Sequence, residues 1–252
     1  MLYIIGLGLG KGDMTAKGIE ALQSCKTIFL ETYTSVISDE YVREIEKIAK
    51  QNKAKLIKAD RKMVEESNEI IQKAKKEKVA LLVSGDPLSA TTHIELLMRA
   101  KKENVRIKVI HSVSIFTAVA ETGLQLYKFG KTGSIAKWQP SFKPESFYDI
   151  IKENKMIGAH TLLLIDIGLS VHEALEYIDS IAKTRDSSML NEEIIIFEKA
   201  GTEDSRITIG KIPSLLKKKF ALPACIIIPG KLHFMEQEML EKYKKALTKK
   251  VF

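Results

Sequence analysis

Two short glycine-rich turns carry most of the chemistry that can be read from this 252-residue chain. The first is Gly6-Leu7-Gly8-Leu9-Gly10-Lys11-Gly12-Asp13, which follows a strand-like run and precedes a helix-like one. Backbone N–H groups in such a turn can approach a cofactor or a phosphate closely. A dinucleotide fingerprint would be G-x-G-x-x-G. Counting from Gly6 puts Lys11 at the third glycine, and counting from Gly8 puts Asp13 there. Glu31, at the end of the second strand-like run, lies where an acidic ribose ligand would sit, so a nicotinamide reading keeps one support. A plain tight turn is the competing account. The second turn is Ser84-Gly85-Asp86-Pro87, between the run 79–83 and a helix starting near Ala90. There Gly85 permits a sharp turn and Pro87 stiffens it. Asp86 is then presented at a strand's carboxyl end, where open α/β sheets bind ligands. A carboxylate at that point suits an ammonium or a ribose hydroxyl, with helix capping as its structural alternative.

The elements that must hold these turns follow from hydrophobic periodicity. The runs 2–7, 27–30, 55–57, 79–83 and 107–110 predict strands. Between them 15–24, 38–51, 63–77 and 91–103 have helical spacing, and in the last Ile94, Leu97 and Met98 share a face. Such alternation predicts a mostly parallel sheet covered on both faces. A helix over 114–122 ends at Gly123, and the rhythm then changes. The stretch 132–144 is rich in Gly, Ser, Pro and aromatics. Beyond it, strands are expected at 161–165, 193–197, 206–209 and 225–228, with helices at 146–153, 172–182 and 235–247. The turn-like 200–205 between two of these strands is a hairpin signal, so the second sheet is expected to be mixed. The fold class is α/β with two domains, 1–112 and 113–252.

Composition narrows the functional classes. The chain is 45% hydrophobic and 29% charged, which is globular. No apolar run approaches the roughly 18 residues of a membrane helix, and the start reads directly into a strand, so neither membrane span nor secretory leader is expected. Cys25 and Cys225 stand apart among apolar residues, without CxxC or zinc spacing, which favours reduced thiols, no metal and a cytoplasmic setting. The net charge is +8, yet arginine occurs only at Arg43, Arg61, Arg99, Arg106, Arg185 and Arg206. Lysines mixed with glutamates, as at 73–78, read as solvated helix faces, with steering toward an acidic macromolecule as the alternative. Direct nucleic-acid readers lean on arginine forks and interleaved aromatics, so none is expected here.

The two glycine turns, together with Asp13-Met14-Thr15-Ala16-Lys17-Gly18, resemble those of the tetrapyrrole methylase-like (class III) superfamily. Longer stretches are similar to the diphthine synthase family within it: 31–35 (ETYTS), 85–93 (GDPLSATTH), 123–130 (GLQLYKFG), 160–166 (HTLLLID) and 229–233 (PGKLH). The resemblance implies a methyltransferase using S-adenosyl-L-methionine, with S-adenosyl-L-homocysteine as product and the cofactor in an interdomain cleft. It implies methylation, to trimethylammonium, of the amino group of a 3-amino-3-carboxypropyl-histidine in translation elongation factor 2. The short chain looks more like the archaeal type, which stops there, and family members are homodimers. Cofactor contacts carried across fall on Leu9, Asp86, Ser89, Ser114, Ile115, Ile165, Ala200 and His233. The structural alternatives are core positions for Ile115 and Ile165, a residue preceding a hairpin for Ala200, and a helix cap for His233. Ser84, Ser89 and Ser112-Val113 depart from the usual family residues, which makes backbone contacts there firmer than side-chain ones.

Methyl transfer to nitrogen needs a neutral amine, and the protein's main contribution is orientation and desolvation. Glu31, His93, His111 and Asp166 are conceivable proton acceptors, but none has a paired-residue signature of a general base, and a structural role competes at each. Lys128, Lys131 and Lys137 are candidates to meet the substrate carboxylate. Tyr127, Phe129, Trp138 and Phe142 serve either a dimer contact or packing within one subunit. The rival functions are a related methyltransferase acting on a tetrapyrrole or ribosomal RNA, a nicotinamide-dependent oxidoreductase, and a non-catalytic basic binding module.

Overall fold

The computed structural model of the chain describes residues 1–185 and 191–249. The chain divides into two compact units, Met1–Phe116 and Thr117 onward, a few residues beyond the 112/113 junction expected from sequence. In the first unit β1 (Leu2–Gly6), β2 (Thr27–Glu31), β3 (Lys55–Ala59), β4 (Val79–Val83) and β5 (Ile107–Ile110) form one sheet in the order β3-β2-β4-β1-β5. Every pairing in it is parallel. β1, β2 and β4 are buried along their whole length, as continuous apolar runs covered on both faces must be. Alternate residues serve opposite cores. Tyr3, Ile5, Ala80 and Leu82 pack with Ala21 and Leu22 of α1 (Ala16–Gln23) and with Ile45 of α2 (Asp39–Gln51). Leu2, Ile4, Leu81 and Val83 pack with Ile70 and Ile71 of α3 (Glu69–Lys76) and with Leu96 and Ala100 of α4 (Ile94–Lys102).

Those packings fix where ligands can bind. β1 and β4 are neighbours, but the helix after β1 lies on one face of the sheet and the helix after β4 on the other. The connections diverge at that point and open a crevice at the strands' carboxyl ends. The two turns flanking it are 6–13 and 84–87, the two glycine clusters.

In the second unit α5 (Ile115–Ala118) continues from the first and runs into a 3₁₀ turn at Val119–Thr122, ending at Gly123. The sheet order is β6-β7-β10-β8-β9, from β6 (Gly133–Ile135), β7 (Thr161–Ile165), β8 (Glu193–Glu198), β9 (Arg206–Lys211) and β10 (Ala224–Ile228). β6 pairs parallel with β7 and the other pairings are antiparallel, so the sheet is mixed. α6 (Ser146–Met156), α7 (Val171–Arg185) and α8 (Ile212–Leu215) bury Phe147, Ile151, Leu175, Ile178 and Leu215 against Leu163, Ile194, Ile196 and Ile226. α9 (Phe234–Lys249) packs against β9. The expected hairpin is present, with Glu198 opposite Arg206.

Candidate active site

The crevice between β1 and β4 is closed by its own backbone. Leu7 N–H donates to Val83 O at 2.8 Å, and Gly8 and Gly85 then exchange both hydrogen bonds, at 3.1 and 2.8 Å. Both glycines hold left-handed backbone, φ +75° and +71°, which side-chain-bearing residues adopt at a cost. The amides of the first turn are not left open. Asp13 Oδ2 accepts from Leu9 N at 3.0 Å and Gly10 N at 2.9 Å, and Thr15 Oγ1 caps α1 by accepting from Gly18 N at 3.1 Å. A carboxylate of the chain thus occupies the place where a pyrophosphate would bind in a dinucleotide enzyme.

Asp86 is equally engaged. Its Oδ1 accepts from Leu88 N at 3.0 Å and Ser89 Oγ at 3.3 Å, while its Oδ2 accepts from His111 Nδ1 at 2.7 Å and Ser112 N at 3.3 Å. Four donors fill the acceptor capacity of a carboxylate. Burial alone would raise its pKa, but the Leu88 amide and His111 outweigh it and hold the carboxyl below its ordinary value. Ser112 closes the arrangement by donating from Oγ to Asp13 O at 2.8 Å. Asp86 thereby ties the β4 turn to the segment after β5, and Ser112 ties that segment to the β1 turn.

Among the sequence candidates of this unit, the fold brings together Leu9, Asp86 and Ser89 with the segment that contains Ser114 and Ile115. Leu9, Ser89 and Ile115 are half-buried and Ser114 is buried. His111 is exposed, its side chain 68% accessible. Glu31 is the opposite case at 2%, with His93 between it and the turn. His93 Nδ1 lies 2.8 Å from Pro87 O and therefore donates, because a carbonyl only accepts. His93 Nε2 faces Glu31 Oε2 at 3.4 Å, both side chains being buried. Burial of Glu31 removes the ribose ligand of the nicotinamide reading.

The second unit separates its candidates. Ile165 ends β7 and Ala200 follows β8, and these strands run alongside each other with β10 between. Both residues therefore lie at the end of the sheet where β10 begins: Ala224 pairs with Glu198 and Cys225 with Leu164. His233 follows the other end of β10, where Ile228 pairs with Thr161. A five-residue strand puts about 17 Å between these ends. His233 instead begins α9, its Nδ1 accepting from Met235 N at 3.4 Å, its ring against Phe234. The β10 position that falls beside Ile165 and Ala200 is Ala224.

His233 belongs to a different feature, a node around Glu236. This fully buried carboxylate accepts from His233 N (2.7 Å), Gln125 N (2.8 Å), His160 Nε2 (3.0 Å) and Lys128 Nζ. His160 Nδ1 accepts from Gly230 N at 2.8 Å, which fixes the proton on Nε2. Burial opposes the charge on Glu236, yet its donors win and pull its pKa down to about 2. The stretches 123–130, 160–166 and 229–233 therefore meet at one structural carboxylate. Lys128 also donates to Lys231 O, Lys131 pairs with Glu153 at 2.5 Å and Lys137 donates to Gly168 O at 2.9 Å. All three lysines proposed for the substrate are engaged within their own unit. Trp138 stacks on Tyr177 and Phe129 meets His160 edge-on, whereas Tyr127 and Phe142 are exposed. Among the described residues no group of three or more His, Cys, Asp or Glu could hold a metal ion, and no helix is long and apolar enough to cross a membrane.

Residues 1–216 match the family of tetrapyrrole (corrin/porphyrin) methylases. A diphthine synthase of Methanococcus maripaludis is 37% identical, over 96% of this chain and 98% of its own. A diphthine methyl ester synthase of Bos taurus is 38% identical over 96% and 95% of the respective chains. A solved diphthine synthase structure superposes with a TM-score of 0.84 at 33% identity, covering 96% of this chain and 95% of the other. The two glycine turns at a switch point, the mixed second sheet and these near-full-length similarities agree: the chain is a methyltransferase of the tetrapyrrole methylase family, on its diphthine synthase branch.

Proposed function

We propose that the chain transfers methyl groups from S-adenosyl-L-methionine to the amino group of a 3-amino-3-carboxypropyl-histidine in translation elongation factor 2. The reaction ends at the trimethylammonium, and the enzyme works as a cytoplasmic homodimer without direct nucleic-acid contact. One observation carries the choice of donor: the switch-point crevice is organised by the chain's own carboxylates, Asp13 and Asp86. A sulfonium cation fits such a site, and a pyrophosphate does not. The donor supplies an electrophilic methyl group. Leu9, Asp86, Ser89, Ser114 and Ile115 are the residues to hold it from the first unit, with Ile165 and Ala200 from the second. His233, ahead of α9, is the further second-unit residue proposed to hold it. Orientation and exclusion of water are the main contributions of these residues. The stretches 85–93 and 123–130 favour the diphthine branch over a tetrapyrrole or RNA substrate.

The test is incubation with methyl-labelled S-adenosyl-L-methionine and elongation factor 2 carrying the unmethylated arm. Label on that histidine is expected. Cofactor binding without label on the factor would refute the substrate and leave the fold assignment standing.

A further inference from the structure

Resting on the proposed amine methylation, we infer that His111 is a catalytic residue, accepting at Nε2 the proton that the substrate ammonium must lose before each transfer. The other ring nitrogen sets the tautomer. Nδ1 lies 2.7 Å from Asp86 Oδ2, and the Asp86 carboxylate also takes Leu88 N, Ser89 Oγ and Ser112 N. An ionised carboxylate only accepts, so Nδ1 carries the hydrogen and the neutral ring keeps its lone pair on Nε2. Asp86 also stabilises the imidazolium once the proton arrives. A base oriented by a buried carboxylate is the arrangement that proton-transfer sites use.

Access separates His111 from Glu31 and His93, while Asp166, also exposed, follows β7 in the second unit and has no carboxylate or histidine bonded to it among the described contacts. The His111 side chain is 68% exposed at the carboxyl end of β5, whereas Glu31 and His93 are buried at 2% and 1%. The charged group bonded to it is Asp86, and the neighbouring Ser112 Oγ donates to the backbone carbonyl of Asp13, tying the segment to the first turn. His111 directly follows β5, the strand paired with β1, and its bond to Asp86 joins it to the turn after β4.

The proton and electron count closes. The ammonium passes one proton to Nε2, and the freed lone pair on nitrogen bonds the methyl carbon while the carbon–sulfur pair stays on sulfur. The methylated nitrogen is again positive, and imidazolium returns its proton to solvent. Each of three transfers consumes one neutral amine and releases one proton, so the base is used three times.

His111→Asn separates the two functions of the ring. The Asn amide nitrogen can replace Nδ1–H toward Asp86, but nothing replaces Nε2. Expected are unchanged S-adenosyl-L-methionine affinity by calorimetry and methyl transfer slower by roughly a hundredfold or more at neutral pH. Its rate should rise with pH beyond the point where the wild type levels off. Imidazole added to H111A should restore transfer. In the protein alone, nitrogen NMR should show the neutral His111 ring with its hydrogen on Nδ1. An H111N enzyme with the wild-type rate and pH profile, or a ring with its hydrogen on Nε2, would overturn the assignment. If the wild type itself transfers no label, the substrate proposal fails first and this inference with it.

Discussion

Replacing Glu236 by glutamine tests whether the node at the start of α9 holds the second unit together. Oε1 receives Gln125 N and His160 Nε2, and Oε2 receives His233 N and Lys128 Nζ. A glutamine amide keeps one oxygen, so either orientation points its NH₂ at two donors. Moving the carboxyl from 4.5 to about 2 corresponds to about 3 kcal/mol favouring the ionised, folded form. Breaking a buried charged contact by removing one partner costs about 3–5 kcal/mol, which agrees. A loss of about 3 kcal/mol is therefore expected for E236Q at pH 7. Trp138 is the single tryptophan and stacks on Tyr177 within this unit, so its fluorescence during urea unfolding reports the right region. The pH dependence has a definite sign. A carboxyl depressed by folding stabilises above its unfolded value of 4.5, and that stability is lost as pH falls toward 2. Burial also lowers the His160 pKa, against the pull of Glu236, so its contribution is present above 6.5 and is lost below. Wild type should weaken on acidification through both windows, and E236Q should lack the carboxyl's share between 4.5 and 2. A variant within about 1 kcal/mol of wild type at pH 7 would refute the node, since that is the scale of one ordinary hydrogen bond.

Gly8→Ala should open the first turn. Its Cβ would sit 2.1 Å from Asp13 Cβ at φ +75°, so Asp13 must leave Leu9 and Gly10. A destabilisation of about 1–3 kcal/mol or more is expected by denaturation, with weakened S-adenosyl-L-methionine binding by calorimetry; unaltered binding would remove this turn from the site. The thiols give a third check. Burial pushes Cys25 to about 11 and Cys225 to about 12, so neither should react with a thiol reagent in the native protein at pH 8, and both should react in denaturant.

Much of this fold was legible because its cues are local. Continuous apolar runs marked β1, β2 and β4, and the turn residues at 200–205 marked the β8–β9 hairpin. The misses trace to long-range partners. The helix expected over 63–77 is broken into a π-helical turn at Lys62–Glu66 and α3. The Arg99 guanidinium, from α4, donates to Val64 O and Ser67 O and takes carbonyls that a continuous helix would use. β6 has three residues and no periodicity to read, and its strand character comes from β7 beside it. Sequence order also hides direction: β10 runs against β7 and β8, so His233, after it, lies toward the opposite end of the sheet from Ile165 and Ala200. Glu236 left one local trace, its position three residues after His233 with the His233 N–H returned to it, a capping-box spacing. Its other partners, as far as Gln125, are invisible to a local pattern.

The turns explain how one fold can exclude the cofactor that its glycines first suggest. A glycine turn ahead of a helix attracts anions because several N–H groups converge with no acceptor. Here Asp13 takes two of them, Thr15 takes the Gly18 N–H, and Asp86 takes those of Leu88 and Ser112. A phosphate would have to displace bonded carboxylates and then sit beside their charge. A cation meets the reverse situation. The carboxylates are fixed in place by the amides they receive, so a positive ligand gains their attraction without having to order them. Glycine spacing alone cannot distinguish these cases. The aspartate at the position of a third glycine can, because it converts a nest for anions into a rigid negative wall.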